Sequence, residues 1–201
     1  MKIILIDINQ KMTNAWKNEF SSFHNIEVIN DSIFNVKAQA MVSPANSFGI
    51  MDGGIDGKIR DFFGKELEKN VRKIINEEYG GELPVGSAII TNVQHKQFDY
   101  LIPAPTMRVP ENVENTLNAY LAMRAILLCC KMNNIKTVVI PGLCSLSGSM
   151  PYPIVARQMR VAYQKVILKT IHYSHWREER ELQSYLMCRI NTLPYDLENK
   201  F

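Results

Sequence analysis

Ala40-Met-Val-Ser-Pro-Ala-Asn46-Ser-Phe-Gly-Ile-Met-Asp-Gly-Gly-Ile-Asp56-Gly-Lys-Ile-Arg60 decides how the rest of the chain is read. An apolar run ends in a polar loop that carries Gly49, Gly53 and Gly54. Beyond the loop the pattern turns helical, with Ile55, Ile59, Phe62 and Phe63 spaced for one face. Strand, glycine loop and helix in that order bring backbone N–H groups and a helix N-terminus up to an anionic ligand. The side chains of Asn46 and Asp56 bracket the loop and suit recognition of a hydroxyl or positioning of a water.

Outward from this stretch, strands alternate with helices. Residues 2–8, 25–29, 38–43, 86–93, 98–102 and 136–140 read as strands. Residues 12–23, 53–79, 114–132 and 153–169 read as helices, the second broken near Gly64 and stopped by Gly80-Gly81. The order predicts an α/β domain with helices on both faces of one sheet. Ligands in such sheets bind beyond the carboxyl ends of the strands. A second loop, Pro141-Gly-Leu-Cys-Ser-Leu-Ser-Gly148-Ser-Met-Pro151, also follows a strand and precedes a helix, so both loops converge on one crevice. Residues 1–170 read as one domain and 171–201 as a tail, helical over about 178–189.

Composition narrows the function classes. The chain has 201 residues, 46% of them apolar, enough for a sizeable core. The net charge of +3 is scattered, which argues against direct nucleic-acid binding. The apolar start is short and broken by Asp7, and the longest apolar stretch contains Arg124, so no signal peptide or membrane span is expected. Cys129, Cys130, Cys144 and Cys188 form no Cys-x-x-Cys and no zinc-finger spacing, which points to a reducing, cytoplasmic setting. His172 and His175 lack further ligands, so no metal and no cofactor are expected. Asp7 ends the first strand, but without Gly-x-Gly-x-x-Gly beside it the residue reads as a turn former.

Several segments in order resemble macro domains, the ADP-ribose-binding modules. Val42-Ser-Pro-Ala-Asn46-Ser resembles the family's Asn-Ala-Ala-Asn strand end, and Gly53-Gly-Ile-Asp56-Gly its Gly-Gly-Val-Asp-Gly. Leu83-Pro-Val-Gly86-Ser-Ala and Tyr100-Leu-Ile-Pro-Ala-Pro105 are similar to its next turn and strand, and 138–151 takes the place of its second phosphate loop. The chain also resembles a bacterial and phage-type branch with Ser-Pro-Ala-Asn-Ser-Phe-Gly, Ala-Pro-Thr-Met-Arg-Val-Pro and an additional N-terminal strand and helix. The resemblance implies a three-layer α/β/α macro-domain fold with a mixed central sheet.

It also implies site residues. Asp31 would accept the adenine amino group, unless it caps the turn that follows. Ser47, Phe48, Gly53, Gly54 and Ile55 would belong to the first ligand loop, and Gly142, Ser145, Leu146, Ser147 and Gly148 to the second. Asn46 would bind the distal ribose, or form an Asx turn. Asp56 would hold a water near the anomeric carbon, cap the next helix, or both. Phe48 and Tyr152 would pack on the distal ribose or cover the core. The implied ligand is ADP-ribose or an ADP-ribosylated substrate, an ADP-ribosylated nucleic acid included. The implied activity is an ADP-ribosyl hydrolase or an ADP-ribose-1″-phosphate phosphatase-like enzyme; the alternatives are a non-catalytic reader and a degenerate interaction module. Ser43, Met51, Asp52 and Arg60 depart from the family pattern, and Leu146 stands where a glycine lets backbone N–H groups approach phosphate.

Overall fold

The computed structural model describes residues 1–187. Its strands are β1 (Lys2–Ile6), β2 (Ile26–Ile29), β3 (Ala40–Ser43), β4 (Thr91–His95), β5 (Phe98–Pro103) and β6 (Thr137–Ile140). Its helices are α1 (Gln10–Phe20), α2 (Gly54–Phe63), α3 (Glu66–Tyr79), α4 (Asn118–Met132), α5 (Tyr152–Tyr163) and α6 (Trp176–Leu186). The strands form one sheet in the order β2-β1-β6-β3-β5-β4, parallel throughout except where β4 meets β5.

Successive strand side chains point to opposite faces, and both faces here are apolar. In β1, Ile3 and Leu5 enter one core while Ile4 and Ile6 enter the other. In β6, Val138 and Ile140 face the first core and Val139 the second. The first core is closed by α1, α4 and α5 through residues such as Trp16, Ile126 and Met159. The second is closed by α2 and α3 through Ile59, Leu67, Val71 and Ile75. The result is the three-layer α/β/α arrangement with a mixed sheet.

Local chemistry moves several boundaries from their expected places. The long helical segment divides because Gly64 turns the chain at φ +102°, and Gly80 ends α3 in the left-handed region. The strand expected over 86–93 begins only at Thr91. Gly86 stands at φ +96° beside a turn closed by Ser87 N–H on the Pro84 carbonyl, which keeps the chain out of the ladder. The helix expected from 114 starts at Asn118, because Asn112 and Thr116 hold the preceding backbone in side-chain turns.

Within the described residues, the part of the chain from 171 to 187 packs against the domain. Leu182, Tyr185 and Leu186 of α6 pack on Val161 and Ile171. Fully buried Gln158 of α5 accepts from Tyr120 N–H at 3.0 Å and donates to the carbonyls of Thr116 at 2.9 Å and Leu186 at 3.2 Å. One amide thus joins α4, α5 and α6. The last positions of the helix expected over 178–189 lie outside the described residues, as does Cys188. Among the described residues no helix is long and apolar enough to cross a membrane.

Candidate functional site

Because β2, β1, β6 and β3 run parallel, the loops that follow them emerge side by side at one edge of the sheet. They surround a cleft of about 300 Å³. Asp31, Ser32, Ile33 and Phe34 line it after β2, and Asp7 and Ile8 after β1. Pro141, Gly142 and residues 144–148 line it after β6. Pro44, the first turn of α2 at Gly54 and Ile55, Lys58, Thr106 and Met107 complete it.

At the β2 end, the exposed Asp31 carboxylate accepts from Ser32 N–H at 2.6 Å and from the Asn35 amide at 2.8 Å. The turn over Ile33–Asn35 is capped by Ser32, not by Asp31. Ile33 and Phe34 put an apolar wall beside that acid.

The 141–151 loop is tight. Cys144 and Ser149 adopt φ +63° and +55°. Met150 N–H returns to the Cys144 carbonyl at 3.0 Å, and Val113 N–H reaches the Gly148 carbonyl at 2.9 Å. A Cβ on Gly142 would lie 2.6 Å from Asp7 Oδ2 and 2.7 Å from Ser145 Oγ. Leu146 borders the cleft with 72% of its surface exposed, so it stands at the rim and does not fill the interior. Burial pushes the Cys144 thiol up to about 12, which leaves almost no thiolate at neutral pH.

The first loop is held by its own side chains. Asn46 Oδ1 accepts from Phe48 N–H at 3.0 Å and Ile50 N–H at 3.3 Å, and its amide donates to the Ile50 carbonyl at 2.7 Å. This is the Asx arrangement. Ser47 is buried, with its N–H on the Arg108 carbonyl and its carbonyl on Leu83 N–H. Phe48 lies under the Arg108 guanidinium, 5.0 Å from its ring centre, and Arg108 grips Glu82 through two bonds. Gly53 is the residue before α2 and supplies no side-chain cap.

Asp56 sits in the first turn of α2 but faces the sheet, where its carboxylate accepts a hydrogen bond from Ser43 Oγ. Burial raises its pKa to about 6, and the Ser43 bond opposes part of that rise. Asp56 lies one residue beyond cleft-lining Ile55. The structure brings Asp31, Gly54, Ile55, Gly142, Ser145, Leu146, Ser147 and Gly148 together around the cleft. Asn46, Ser47, Phe48, Gly53, Asp56 and Tyr152 do not line the cleft: the Asn46 side chain bonds back onto its own loop, Asp56 accepts from Ser43, and the Tyr152 hydroxyl accepts from the Asn9 amide at 2.8 Å. Sequence reading missed Asp7, Ile8, Lys58, Thr106 and Met107 as lining; position at a strand end was the available signal for Asp7.

The fold is a three-layer α/β/α domain whose cleft lies where parallel strands end in glycine-bearing loops, the place where open α/β sheets generally take ligands. The model of the macro domain family matches residues 42–159, and the chain belongs to that family. A macro domain-containing protein of Caldanaerobacter subterraneus is 31% identical over 143 residues, 70% of this chain and 78% of the relative. An O-acetyl-ADP-ribose deacetylase of Escherichia fergusonii is 28% identical over 179 residues, 87% of this chain and 90% of that protein. Among solved structures, the macrodomain of Mycobacterium tuberculosis DarG superposes with a TM-score of 0.59 at 18% identity, covering 67% of this chain and 87% of the other. The likeness in that structure is one of fold.

Proposed function

We propose that this macro domain binds ADP-ribose or a derivative of it in the 300 Å³ cleft. The observation that carries the reading is the cleft itself. One end joins the Asp31 carboxylate to the Ile33–Phe34 wall, which suits a purine with an exocyclic amino group. The other end joins the N-terminus of α2 to the 142–148 loop, which suits a diphosphate. The macro domain relatives named for O-acetyl-ADP-ribose agree with that ligand class.

Hydrolysis at the distal ribose is the second half of the proposal. Its support is Asp56, a carboxyl whose pKa of about 6 lies near the working range of a general base. In this role Asp56 exchanges its Ser43 contact for a water and takes its proton as the water attacks. Attack at the anomeric carbon breaks the bond to the acceptor and releases it; attack at the ester carbonyl on the distal ribose releases the carboxylic acid. The free cysteines Cys129, Cys130 and Cys144, all buried, fit a reducing, cytoplasmic setting.

Titration calorimetry with ADP-ribose tests the binding half: saturable one-to-one heat is expected, and its absence at millimolar ligand removes the reading. Turnover of O-acetyl-ADP-ribose or of an ADP-ribosylated protein or nucleic acid tests the second half. Leu146→Ala bears on the rim. Because the side chain is exposed, stability should change by less than about 0.5 kcal/mol, while ADP-ribose affinity holds or rises. A large loss of affinity would show that Leu146 supports the ligand directly.

A further inference from the structure

Asp7 is the one acid that reaches the cleft from β1, and the family match begins only at residue 42. Its position follows from strand pairing. Ile6 is level with Ile29 of β2, and Leu5 is level with both Val28 of β2 and Ile140 of β6. The residues just past the strand ends therefore stand in a row: Asn30 and Asp31, then Asp7, then Pro141 and Gly142. The Asn30 amide ties the row together by donating to the Asp7 carbonyl at 2.8 Å. The next strand in the sheet is β3, which leads to Pro44 and the first loop.

The row matches the order of groups in the ligand proposed above. An adenine at Asp31 and a diphosphate at Gly142 and the start of α2 leave the adenosine ribose opposite Asp7. The side chain is half-buried and held in place. Its Oδ1 accepts from Asn9 N–H at 2.8 Å, and Gly142 N–H also donates to the carboxylate. A carboxylate has about four acceptor positions, so two backbone donors leave capacity for a ribose hydroxyl pair. Gly142 has no side chain, and a Cβ there would sit 2.6 Å from Asp7 Oδ2, so the glycine keeps that oxygen clear.

Resting on the ADP-ribose reading, we propose that Asp7 is a specificity residue that accepts hydrogen bonds from the hydroxyls of the adenosine ribose and rejects a phosphate there. The physical basis is general: a carboxylate at a strand end binds vicinal ribose hydroxyls and repels a 2′-phosphate. The site thereby takes ligands derived from unphosphorylated dinucleotides and refuses their 2′-phosphorylated counterparts.

The test is calorimetry on the full chain, wild type, Asp7→Asn and Asp7→Ala, with three probes: ADP-ribose, its form lacking the adenosine 2′-hydroxyl, and its 2′-phosphate. Wild type should bind the deoxy form about tenfold more weakly than ADP-ribose and the 2′-phosphate about a hundredfold more weakly. In Asp7→Asn the penalty against the 2′-phosphate should fall by about tenfold or more, and in Asp7→Ala the two hydroxyl forms should bind alike. A purely structural role in holding Gly142 would weaken all probes by one factor and leave their ratios unchanged; that result overturns the proposal. Unaltered affinities in both variants overturn it too. Failure of wild type to bind ADP-ribose at all refutes the underlying ligand reading instead.

Discussion

Asp56→Asn should make the protein more stable at pH 8, although it alters a buried, hydrogen-bonded group. Burial lifts the carboxyl from its usual 3.8 to about 6. The folded state therefore favours the protonated acid. The associated stability is fully present below pH 3.8 and is lost as pH rises through 6. At pH 8 the ionised carboxylate is a standing cost on the order of 3 kcal/mol. An asparagine carries no charge, and its carbonyl can still accept from Ser43 Oγ. Its N–H₂ group lacks an evident partner, which returns part of the gain. The net expectation is a stabilisation of about 1–2 kcal/mol at pH 8 that shrinks to nothing or reverses at pH 4. Urea melts of both proteins at the two pH values measure it. Under the hydrolytic reading, turnover should fall by about 10²–10⁴-fold in the same variant. A residue that weakens the fold at working pH while supporting turnover fits a trade of stability for chemistry. A variant less stable than wild type at pH 8 would contradict the assigned burial, and unchanged turnover would remove Asp56 from the mechanism.

Gly148→Ala carries the largest expected effect on the second loop. A methyl group there would stand 2.6 Å from the Cys144 carbonyl oxygen and 2.7 Å from Val113 Cγ2. Val113 has some freedom to move. The Cys144 carbonyl has little, because Met150 N–H holds it within a turn where Cys144 already adopts φ +63°. Relief requires the loop to open, which also strains the Val113 N–H bond to the Gly148 carbonyl. Overpacking of this kind costs about 1–3 kcal/mol. Under the ADP-ribose reading, affinity should drop by about a hundredfold, since a displaced loop would lose several charge-assisted bonds to the diphosphate together. Gly53→Ala is the contrasting control. Nothing lies within 4 Å of the Cβ it would add, and its φ of −154° is ordinary extended backbone. Its stability and affinity should stay near wild type. Equal behaviour of the two variants would refute the packing argument.

The α/β layering was legible because it is written in short-range periodicity. Ile3 to Ile6 and Val138 to Ile140 alternate between two cores, while Val71 and Ile75 repeat at helical spacing. The glycine loops were legible because they interrupt those periods. What escaped depends on long-range pairing. Asp7 became a cleft residue only through the placement of β1 between β2 and β6, about 130 residues away along the chain. The Asp56 partnership with Ser43 likewise needs the first turn of α2 folded onto the end of β3. The Asx arrangement of Asn46 was readable locally, and it accounts for both ends of the side-chain amide. The start of β4 was misjudged because Gly86 tolerates a conformation that its apolar neighbours do not advertise.

The insertion of β1 into the sheet matters for anyone trimming the chain to its family core. Residues 42–159 alone would strip β6 of Lys2, Ile3, Ile4 and Leu5 of β1 on one side and of Ala40 and Met41 of β3 on the other. A strand from the middle of the sheet would then present naked amides to solvent, a template for self-association. Shortened versions should accordingly precipitate or pair with one another, whereas those retaining the opening strand and its helix should stay dispersed.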